Sequence, residues 1–455
     1  MSIINNALSG ALAAQTALQT TSQNIANLQT KGYTRQGVNL AAVAPGITSK
    51  TPGMGVEVTG LTRFSDAYKS QQLWRAASDQ GLYSQNQPYL SQLEKVMGDD
   101  QSSISAGVDQ FFKALNAAGV DPTSTPLRQQ VVTAANAMSQ HFNSIYNVMA
   151  NQRLSIDQQR EALIPNINAD INAISRLNQN IIGAAALGTN VSALADERDQ
   201  AIDRLASKLA IEVIEQPDGS RNVSLRTGQP LVIGSQGSVM SFRQTNSGAV
   251  LNLDFNKNSF DLDDSAMGGQ MGGLSSYKNN ILAPMQQSII DMADQLSAKV
   301  NAQLQAGTDV DGNPGIALFN FNAASTTGML QIDPNFKASQ LAFSADGTPG
   351  DSANLQSLIA IRTQSISLSS IGSVLVADAD TQLVGKLGID SQQNQALLKT
   401  ADTIRQQAED DWKSTAGVNQ DEEAVNLMEY QKMYQANMKA IAVANELFDS
   451  TLRMF

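Results

Sequence analysis

The C-terminal part of the chain carries a strict alternation of three- and four-residue steps, and this pattern constrains the fold more than any other feature. Its positions are Ala424, Leu427, Gln431, Tyr434, Met438, Ile441, Asn445, Phe448, Leu452 and Phe455. Eight of these ten residues are apolar, which is typical of the contact face of a coiled coil or a bundle helix. A helix with so narrow an apolar stripe buries it against a partner, so a second helix with a matching stripe is expected.

The N-terminal segment is the natural partner. Its stripe consists of Ile4, Leu8, Ala11, Leu18 and Ile25, with Gln15 and Ser22 at the two positions between. Residues 1–30 contain no Asp, Glu, Lys or Arg. We expect this helix to stop near Asn27, because Gly32 can adopt the left-handed conformation that closes a helix and Tyr33 can fold back on the last turn.

The two stripes are expected to face each other and to form the assembly interface of the chain. Ordering the backbone of one residue costs about 1–2 kcal/mol of conformational free energy. Burial of one narrow stripe alone does not offset this cost. Residues 1–60 and 415–455 are therefore predicted to be disordered in the free monomer and to fold on assembly. The predicted interface residues are Ile4, Leu8, Ala11, Leu18, Ile25, Leu427, Tyr434, Met438, Ile441, Phe448, Leu452 and Phe455.

Long helices are predicted between the two ends. One apolar face consists of Leu127, Val131, Ala134, Met138, Phe142, Ile145 and Met149. A second one consists of Ile164, Ile167, Ile171, Ile174, Leu177 and Ile181. Long helices with narrow apolar stripes favour an elongated, rod-shaped helical bundle over a compact enzyme core.

A β-rich insertion interrupts the helices. Residues 211–262 alternate apolar and polar side chains between Asp-Gly and Gly-rich turns, which predicts a small antiparallel β domain. The sequence therefore indicates a mainly α fold with a β insertion (α+β) and with paired terminal coiled-coil helices. The predicted domains are residues 1–60 with 415–455 for assembly, 61–210 with 266–414 for the helical rod, and 211–265 for the outer β domain.

Composition excludes several classes of protein. The chain has 455 residues, 42% of them hydrophobic, and a formal net charge of -12. No basic patch offsets this charge, so neither nucleic acid nor an anionic lipid surface is expected as a partner. No stretch of about twenty apolar residues is present to span a bilayer. The N-terminus lacks the pattern of a signal peptide, so export by another route is expected.

Candidate catalytic and metal-binding residues do not combine into a site. The chain has no Cys, and its only histidine, His141, lies on the flank of a predicted helix, where packing or solvation is favoured over catalysis. Asp309–Asn313 is similar to the start of a calcium loop, but Asn320 stands where a bidentate Glu is required, so a turn is predicted. The glycines at 268, 269, 272 and 273 lack the ending of a phosphate-binding loop and predict close packing or a hinge. We predict no catalytic residue, no cofactor and no metal.

The charged motifs also favour structural roles. Asp196, Glu197, Arg198 and Asp199 stand just ahead of an apolar-periodic helix, and charge pairing on a solvated helix is favoured there over acid–base chemistry. Residues 421–423 are all acidic and fall in the first turn of the last helix, where negative charge suits the helix dipole. Asn445 either fixes the register of the C-terminal stripe or faces solvent.

Motifs at both ends resemble a known family. "LSGALAAQTALQTTSQNIANLQTKGYTRQ" at 8–36 and "GVNQDEEAVNLMEYQKMYQANMKAIAVANELFDSTL" at 417–452 are similar to the terminal signatures of the bacterial flagellar axial proteins. Five motifs of the body resemble the family of hook-associated protein 1, FlgK. They are "DQFFKAL" (109–115), "PLRQQVV" (126–132), "INAISRLNQNI" (171–181), "ADERDQAIDRLA" (195–206) and "GQPLVIG" (228–234).

This resemblance implies a structural subunit of the flagellum, not an enzyme, that connects the hook to the filament by self-assembly through its terminal helices. The implied partners are identical subunits, the flagellar hook protein, the second hook–filament junction protein and an export chaperone at the C-terminal region. The implied location is the hook–filament junction outside the cell, reached by flagellar type III export without a cleaved signal peptide. Two alternatives stay open: another axial protein, either the hook subunit or the second junction protein, and an extracellular enzyme carried on a flagellar scaffold.

Overall fold

A computed structural model of the protein describes residues 2–44, 53–245, 248–325 and 328–454. The fold is mainly helical with small antiparallel sheets, which confirms the fold class predicted from the sequence. The helices are α1 Ser2–Ala26, α2 Ala67–Met97, α3 Ile104–Ala118, α4 Thr125–Ala186, α5 Ser192–Lys208, α6 Gly269–Ser276, α7 Ala283–Gln305, α8 Ala353–Ala360, α9 Ala379–Ala416 and α10 Gln420–Leu452. A π-helical turn, Tyr277–Leu282, connects α6 to α7.

The strands pair in antiparallel fashion. They are β1 Gln36–Ala42, β2 Val56–Arg63, β3 Ile211–Glu215, β4 Arg221–Leu225, β5 Pro230–Ile233, β6 Gln236–Gly237, β7 Val239–Thr245, β8 Gly248–Phe255, β9 Asn258–Asp261, β10 Phe319–Phe321, β11 Leu330–Ile332, β12 Ser365–Leu368 and β13 Gly372–Leu375. The sheet orders are β1-β2, β3-β4-β5-β6, β7-β8-β9, β10-β11 and β12-β13. Strands β3 to β9 lie within the segment predicted as a β insertion, so that prediction is confirmed. Strands β1 and β2 form a hairpin in a region that the sequence shows only as irregular or extended chain.

The chain divides into two compact units. The terminal unit consists of Met1–Gln80, Ile164–Gly269 and Ala401–Phe455, and the middle unit of Gly81–Leu163 and Gln270–Thr400. The terminal unit holds α1, the β1–β2 hairpin, α5, β3 to β9 and α10, whereas the middle unit holds α3, α7, α8 and β10 to β13. The three-part division drawn from the sequence uses other boundaries and stays a prediction.

The core of the middle unit is built on the first predicted apolar face of α4. The buried residues of this face are Val131, Met138, Phe142, Ile145 and Met149. Aromatic rings from other elements join the same core: Phe111 of α3 lies edge-on to Phe112, with ring centroids 5.5 Å apart, and to Phe319 of β10, at 6.0 Å. The periodic apolar pattern therefore predicts this core correctly.

In the terminal unit, the second predicted apolar face of α4 packs against the β insertion. Its buried residues are Ile167, Ile171, Ile174, Leu177 and Ile181. A Cβ atom on Gly237 would lie 2.9 Å from Cγ2 of Ile171, so the sheet approaches the helix closely. The side-chain amide of Asn178 donates to the carbonyl oxygens of Arg221, at 2.8 Å, and Gly234, at 2.7 Å. Hydrogen bonds as well as apolar contacts thus attach the insertion to α4.

Two glycines of α6 are required by close packing. Gly269 has a φ of 55°, and a Cβ atom there would lie 2.4 Å from the carbonyl carbon of Lys208. A Cβ atom on Gly273 would lie 2.3 Å from the carbonyl oxygen of Leu82. Any side chain at either position would force backbone to move, which is the packing role predicted for these glycines.

Asp309 forms the turn predicted for its motif. Its Oδ1 accepts hydrogen bonds from the backbone N–H groups of Asp311, at 2.9 Å, and Asn313, at 2.8 Å. An aspartate that bonds to backbone amides two and four residues ahead is typical of a turn.

Replacing Phe142 by Ala should lower the free energy of unfolding by about 3–5 kcal/mol, because its ring is fully buried and leaves a cavity. Leu154→Ala on the same helix is the control: Leu154 is 58% exposed, so its loss should cost less than about 0.5 kcal/mol. Urea unfolding followed by circular dichroism measures both. Equal losses would show that the apolar face of α4 is not the core of this unit.

Candidate assembly surface

Helices α1 and α10 pack side by side in opposite directions, which confirms the predicted pairing of the two ends. Gly10 lies against Asn437, since a Cβ atom on Gly10 would stand 2.6 Å from Asn437 Oδ1. Beyond the C-terminal end of α1, the Arg35 guanidinium forms an ion pair with Glu422 in the first turn of α10. The end of α1 therefore meets the start of α10, and the pair is antiparallel.

The contact between the two helices is a seam of mostly small residues. On α1 the seam consists of the buried residues Ala7, Gly10, Ala14, Ala17, Thr21 and Asn24. On α10 it consists of the buried or half-buried residues Glu423, Asn426, Tyr430, Met433, Asn437, Ala440 and Ala444. Both sets advance in alternating steps of three and four residues, as in a coiled coil. Small side chains at such a contact let two helices approach closely.

The seam runs one residue ahead of the predicted stripe on each helix: Leu8 follows Ala7, and Met438 follows Asn437. The expectation that the two stripes face each other is therefore wrong, because the close contact is made by the small residues of α1 that precede the stripe. Among the predicted interface residues, Ala11 is buried; Ile4, Leu18, Tyr434 and Ile441 are half-buried; Leu8, Ile25, Leu427, Met438, Phe448 and Leu452 are exposed. Phe455, like residues 45–52 of the predicted assembly domain, lies outside the described residues.

Both stripes lie on the same side of the helix pair. A step of one residue turns a side chain by about 100° around a helix axis. On each helix the stripe follows the seam by one residue, so it is turned by this angle away from the seam. Because the helices run in opposite directions and their seams face each other, both stripes point to the same side of the pair. We call that side the stripe face; its described residues are Ile4, Leu8, Ala11, Leu18, Ile25, Leu427, Tyr434, Met438, Ile441, Phe448 and Leu452.

Four charged residues of α10 lie on the opposite flank of the pair. The four that directly precede a seam residue are Glu422, Glu429, Lys432 and Lys439. Helix α1 contributes no charge to either flank. None of the residues that define the stripe face is charged, although Asp449 directly follows Phe448. The other flank of α10 is polar.

The β1–β2 hairpin covers the flank of α1 that lies away from the stripe face. The Val56 N–H donates to Ser9 Oγ at 3.2 Å, and a Cβ atom on Gly55 would lie 3.3 Å from Cα of Asn6. Asn6 and Ser9 each precede a seam residue, so they lie on the flank opposite to the stripe. One flank of α1 is thus covered within the chain.

Asn24 fastens the end of α1 to the start of the hairpin. Its side-chain amide donates to the Gln36 carbonyl oxygen at 2.8 Å, and its Oδ1 accepts from the Gln36 N–H at 3.1 Å. The Tyr33 hydroxyl donates to the same Oδ1 at 2.9 Å, so Tyr33 folds back on the last turn as predicted. Burial, with Asp196 and Glu423 nearby, raises the pKa of Tyr33 to about 12. The hydroxyl therefore stays protonated and able to donate at neutral pH.

A cluster of buried ions ties the hairpin to α5 and to the β insertion. The guanidinium of Arg63, at the end of β2, binds Asp196 Oδ1 and Asp199 Oδ2, each at 2.8 Å. Asp199 also pairs with Arg221 of β4, and the Thr34 N–H donates to Asp196 Oδ2 at 3.0 Å. The prediction of charges on a solvated helix is wrong here: both aspartates are largely buried and bind residues distant in sequence. We call Arg63, Asp196, Asp199 and Arg221 the ion cluster.

The ion cluster shifts the titration of its members. Burial alone would raise the pKa of the Asp199 carboxyl, but the positive charges of Arg221, Arg63 and Arg198 outweigh it and hold that pKa below its usual value. Burial lowers the pKa of Arg198 to about 10, which leaves it cationic at neutral pH. Arg198 donates to the Gly219 carbonyl oxygen at 2.6 Å. Burial raises the pKa of the Asp196 carboxyl, and the positive charge of Arg63 opposes that shift.

A cavity of about 590 Å³ in the terminal unit is lined by both tryptophans of the chain, Trp74 and Trp412. Two carboxylates of its wall are paired: Asp203 with Arg405, at 2.8 Å, and Glu409 with Lys413, also at 2.8 Å. The hydrogen bond from Lys413 lowers the pKa of Glu409. Glu409 therefore stays ionised at neutral pH and is a poor proton donor there.

The remaining candidates from the sequence lie apart from one another. His141 is half-buried on α4 beside Gly107 of α3, Asn445 faces solvent, and Glu423 is buried in the seam. Within the described ranges, no three His, Cys, Asp or Glu side chains come together in a way that could hold a metal ion. In the same part of the chain, no helix has both the length and the apolar composition of a membrane span.

Comparison with known families places this arrangement in context. A family model described as "Flagellar hook-associated protein FlgK helical domain" matches residues 90–319, just over half of the chain. The chain belongs to the FlgK family of flagellar hook-associated proteins. A second model, "Flagellar basal body rod FlgEFG protein C-terminal", matches residues 414–454, which include α10. The resemblance inferred from the sequence motifs is thereby confirmed.

Relatives of the FlgK family are similar along their whole length. Flagellar hook-associated protein 1 of Bacillus subtilis (strain 168) is 24% identical over 484 residues, covering 97% of this chain and 95% of that protein. The protein of the same name from Salmonella typhimurium is 25% identical over 555 residues, covering 100% of both chains. The solved structure of the flagellar hook junction protein FlgK from Burkholderia pseudomallei matches 57% of this chain and 47% of its own, with a TM-score of 0.50 and 23% identity. It has the same fold over that part.

Replacing Asp199 by Asn should lower the free energy of unfolding of the terminal unit by about 3–5 kcal/mol at neutral pH, because Arg63 and Arg221 lose a buried counter-ion. The lowered pKa of Asp199 means that its carboxylate stabilises the fold above the unfolded-state value of about 3.9, and that this contribution is lost as the pH falls below it. The Asn variant should therefore lose less stability than the parent on acidification. Urea titrations at several pH values measure both effects.

The control for this substitution is Asp261→Asn, which breaks an exposed ion pair between Asp261 and Arg243 in the same unit. Such pairs contribute about 0–1 kcal/mol, so this variant should unfold almost like the parent. If Asp199→Asn were as mild as Asp261→Asn, the ion cluster would not hold the terminal unit together.

Proposed function

We propose that this chain is a structural subunit of the bacterial flagellum that connects the hook to the filament, and that it assembles through its two terminal helices. The observation that supports this best is the stripe face. Leu8, Met438 and Phe448 are 48%, 44% and 60% exposed on it. Contiguous apolar surface of this kind on a soluble protein marks a contact with another molecule.

The composition of the stripe face suits repeated association with identical subunits. Burying one large apolar side chain is worth roughly 1.5–3 kcal/mol, and several such side chains are available on each copy. Because the face carries no charge, a neighbour can cover it without removing an ion from water. The free energy of assembly therefore comes from apolar burial alone.

Family membership supports the place of this subunit in the flagellum. The relatives bear the name hook-associated protein, and the segment 414–454 is similar to the C-terminal part of rod proteins. We propose identical subunits, the flagellar hook protein and the second hook–filament junction protein as its partners, with an export chaperone at the C-terminal region before assembly. Its proposed location is the hook–filament junction outside the cell.

No catalytic role is proposed. The carboxylates that line the tryptophan cavity are Asp199, Asp203 and Glu409, and each is paired with Arg or Lys. A glycosidase requires one carboxylic acid whose pKa is raised. A structural subunit of the FlgK family needs no such acid.

In the free monomer, the backbone amides of α1 and α10 should exchange with solvent far faster than those of α4. The seam between the two helices buries small and polar side chains, such as Ala14 and Asn437, so little apolar area offsets the entropy of ordering. Hydrogen exchange on dilute monomer measures this difference. Protection of α1 and α10 equal to that of the Ile171 region would contradict folding on assembly.

Replacing Ile441 by Asp should block the attachment of filaments to hooks. Ile441 lies on the stripe face, and the change removes apolar burial worth roughly 1.5–3 kcal/mol and introduces a carboxylate that a neighbour would have to desolvate. The same loss recurs in every subunit. The test is complementation of a strain that lacks the gene, with filaments counted by electron microscopy.

Lys439→Asp is the matched control, because Lys439 lies on the opposite, polar flank of α10. It should restore filaments almost as well as the parent. Each variant must also be found in the culture medium, since failed export would have the same appearance. If exported Ile441→Asp joined filaments to hooks as well as Lys439→Asp does, the stripe face would not be the subunit contact.

A further inference from the structure

A second cavity in the terminal unit, of about 580 Å³, lies beside the ion cluster. Its volume falls within the range of about 300–1,000 Å³ that is usual for small-molecule sites. One part of its wall consists of three arginines, Arg63, Arg198 and Arg221. Another part is apolar and consists of Ile181, Ile182, Ala185, Ala186, Val191 and Ala195. Such a wall suits a ligand with one anionic end and one apolar end.

The buried charges beside this cavity do not balance. The side chains of Arg63, Arg198 and Arg221 are only 13%, 3% and 4% exposed. Two carboxylates, Asp196 and Asp199, are buried with them, which leaves one positive charge in excess. Protonation of Asp196, whose pKa is raised by burial, would increase this excess. A buried charge without a counter-ion is costly, so the excess favours the binding of a monoanion.

Two further carboxylates line the cavity but compensate this charge only weakly. Glu215 lies 3.3 Å from Arg221, and its side chain is 54% exposed, so solvent screens the pair. Asp218 accepts hydrogen bonds from the backbone N–H and the hydroxyl of Ser220, at 2.9 and 2.6 Å, which engage its carboxylate in the turn. A ligand can therefore replace Glu215 at Arg221.

Two guanidinium nitrogens are available to an anion. Arg63 uses Nε and Nη2 for Asp196 and Asp199. Arg198 uses Nε for Asp199 and Nη1 for the Gly219 carbonyl oxygen. Within the described part of the chain, Arg63 Nη1 and Arg198 Nη2 make no hydrogen bond, and neither nitrogen is sealed from solvent. Both can therefore donate to a ligand.

We infer that this cavity binds a short aliphatic monocarboxylate. Its carboxylate accepts hydrogen bonds from Arg63 Nη1 and Arg198 Nη2, as guanidinium groups commonly donate to carboxylates. Its hydrocarbon chain lies against the apolar wall that α4 provides. One negative charge matches the excess, whereas a phosphate monoester carries about −1.5 to −2 at neutral pH and would overcompensate it. The site shares no residue with the stripe face and is independent of the proposed subunit contact.

Isothermal titration calorimetry of the whole chain with sodium hexanoate tests this inference. We expect saturable binding at a single site. Hexan-1-ol has the same hydrocarbon chain without the charge, and inorganic phosphate has charge without the chain. Each should bind at least about tenfold more weakly than hexanoate, because one loses charge-assisted hydrogen bonds and the other loses apolar burial.

Variants of the apolar wall test the position of the site, because loss of Arg63 or Arg221 would also break the ion cluster. Ala185→Asp places a negative charge on an exposed part of the wall and should weaken hexanoate binding about tenfold by repulsion. Leu187→Asp is the matched control. Leu187 is 83% exposed just beyond the end of α4 and does not line the cavity, so this variant should bind hexanoate like the parent.

Glu215→Gln should strengthen hexanoate binding, because it removes the carboxylate that competes for Arg221. Since an exposed ion pair is weak, we expect the affinity to rise about two- to fivefold. Glu212→Gln is the control, since Glu212 lies on the same strand, β3, but does not line the cavity. A merely structural role of Glu215 would change stability without raising the affinity for hexanoate.

Three results would overturn the inference. The first is the absence of saturable hexanoate binding to the folded chain. The second is equal binding by Ala185→Asp and Leu187→Asp, which would place the site elsewhere. The third is phosphate binding as tight as that of hexanoate, since the apolar wall would then play no part. None of these results bears on the proposed function, because none of the varied residues belongs to the stripe face.

Discussion

The close approach of α1 and α10 decides where the large apolar side chains of the terminal unit can go. The seam residues of α1 are Ala, Gly, Thr and Asn, and Gly10 lies so close to Asn437 that a larger side chain at position 10 would not fit without a shift. The larger side chains are displaced by one position, to the flank. A pair that buried Leu8 and Met438 between its own helices would have little apolar surface left for a neighbour, so the small residues of the seam are what keep the stripe face available.

The ion cluster connects this helix pair to the rest of the terminal unit. Arg63 at the end of the hairpin, Asp196 and Asp199 on α5, and Arg221 on β4 come from three separate parts of the chain. Buried ion pairs have strict geometry, because each partner left alone would be an uncompensated charge. The hairpin beside the terminal helices is therefore attached to α5 and to the β insertion by paired charges.

Periodic patterns predicted the elements of this fold but not which faces meet. The apolar faces of α4, the β insertion and the pairing of the chain ends follow from patterns that repeat locally, and all of them are present. The seam was missed because a search for apolar stripes ranks Leu above Ala, although Ala7, Ala14 and Ala17 show the same three–four spacing. The burial of Asp199 could not be foreseen, since its partners Arg63 and Arg221 belong to distant segments.

The absence of charge on the stripe face also determines how the contact responds to its surroundings. Dissolved salt weakens attractions between exposed ions, since the screening length falls from about 30 Å at 0.01 M to about 3 Å at 1 M ionic strength. The proposed contact through Leu8, Met438 and Phe448 contains no ionic attraction that salt could weaken. Salts that are excluded from protein surfaces strengthen apolar burial. In the proposed assembly, a chain whose first thirty residues are uncharged would thus form the same contact at low and at high ionic strength.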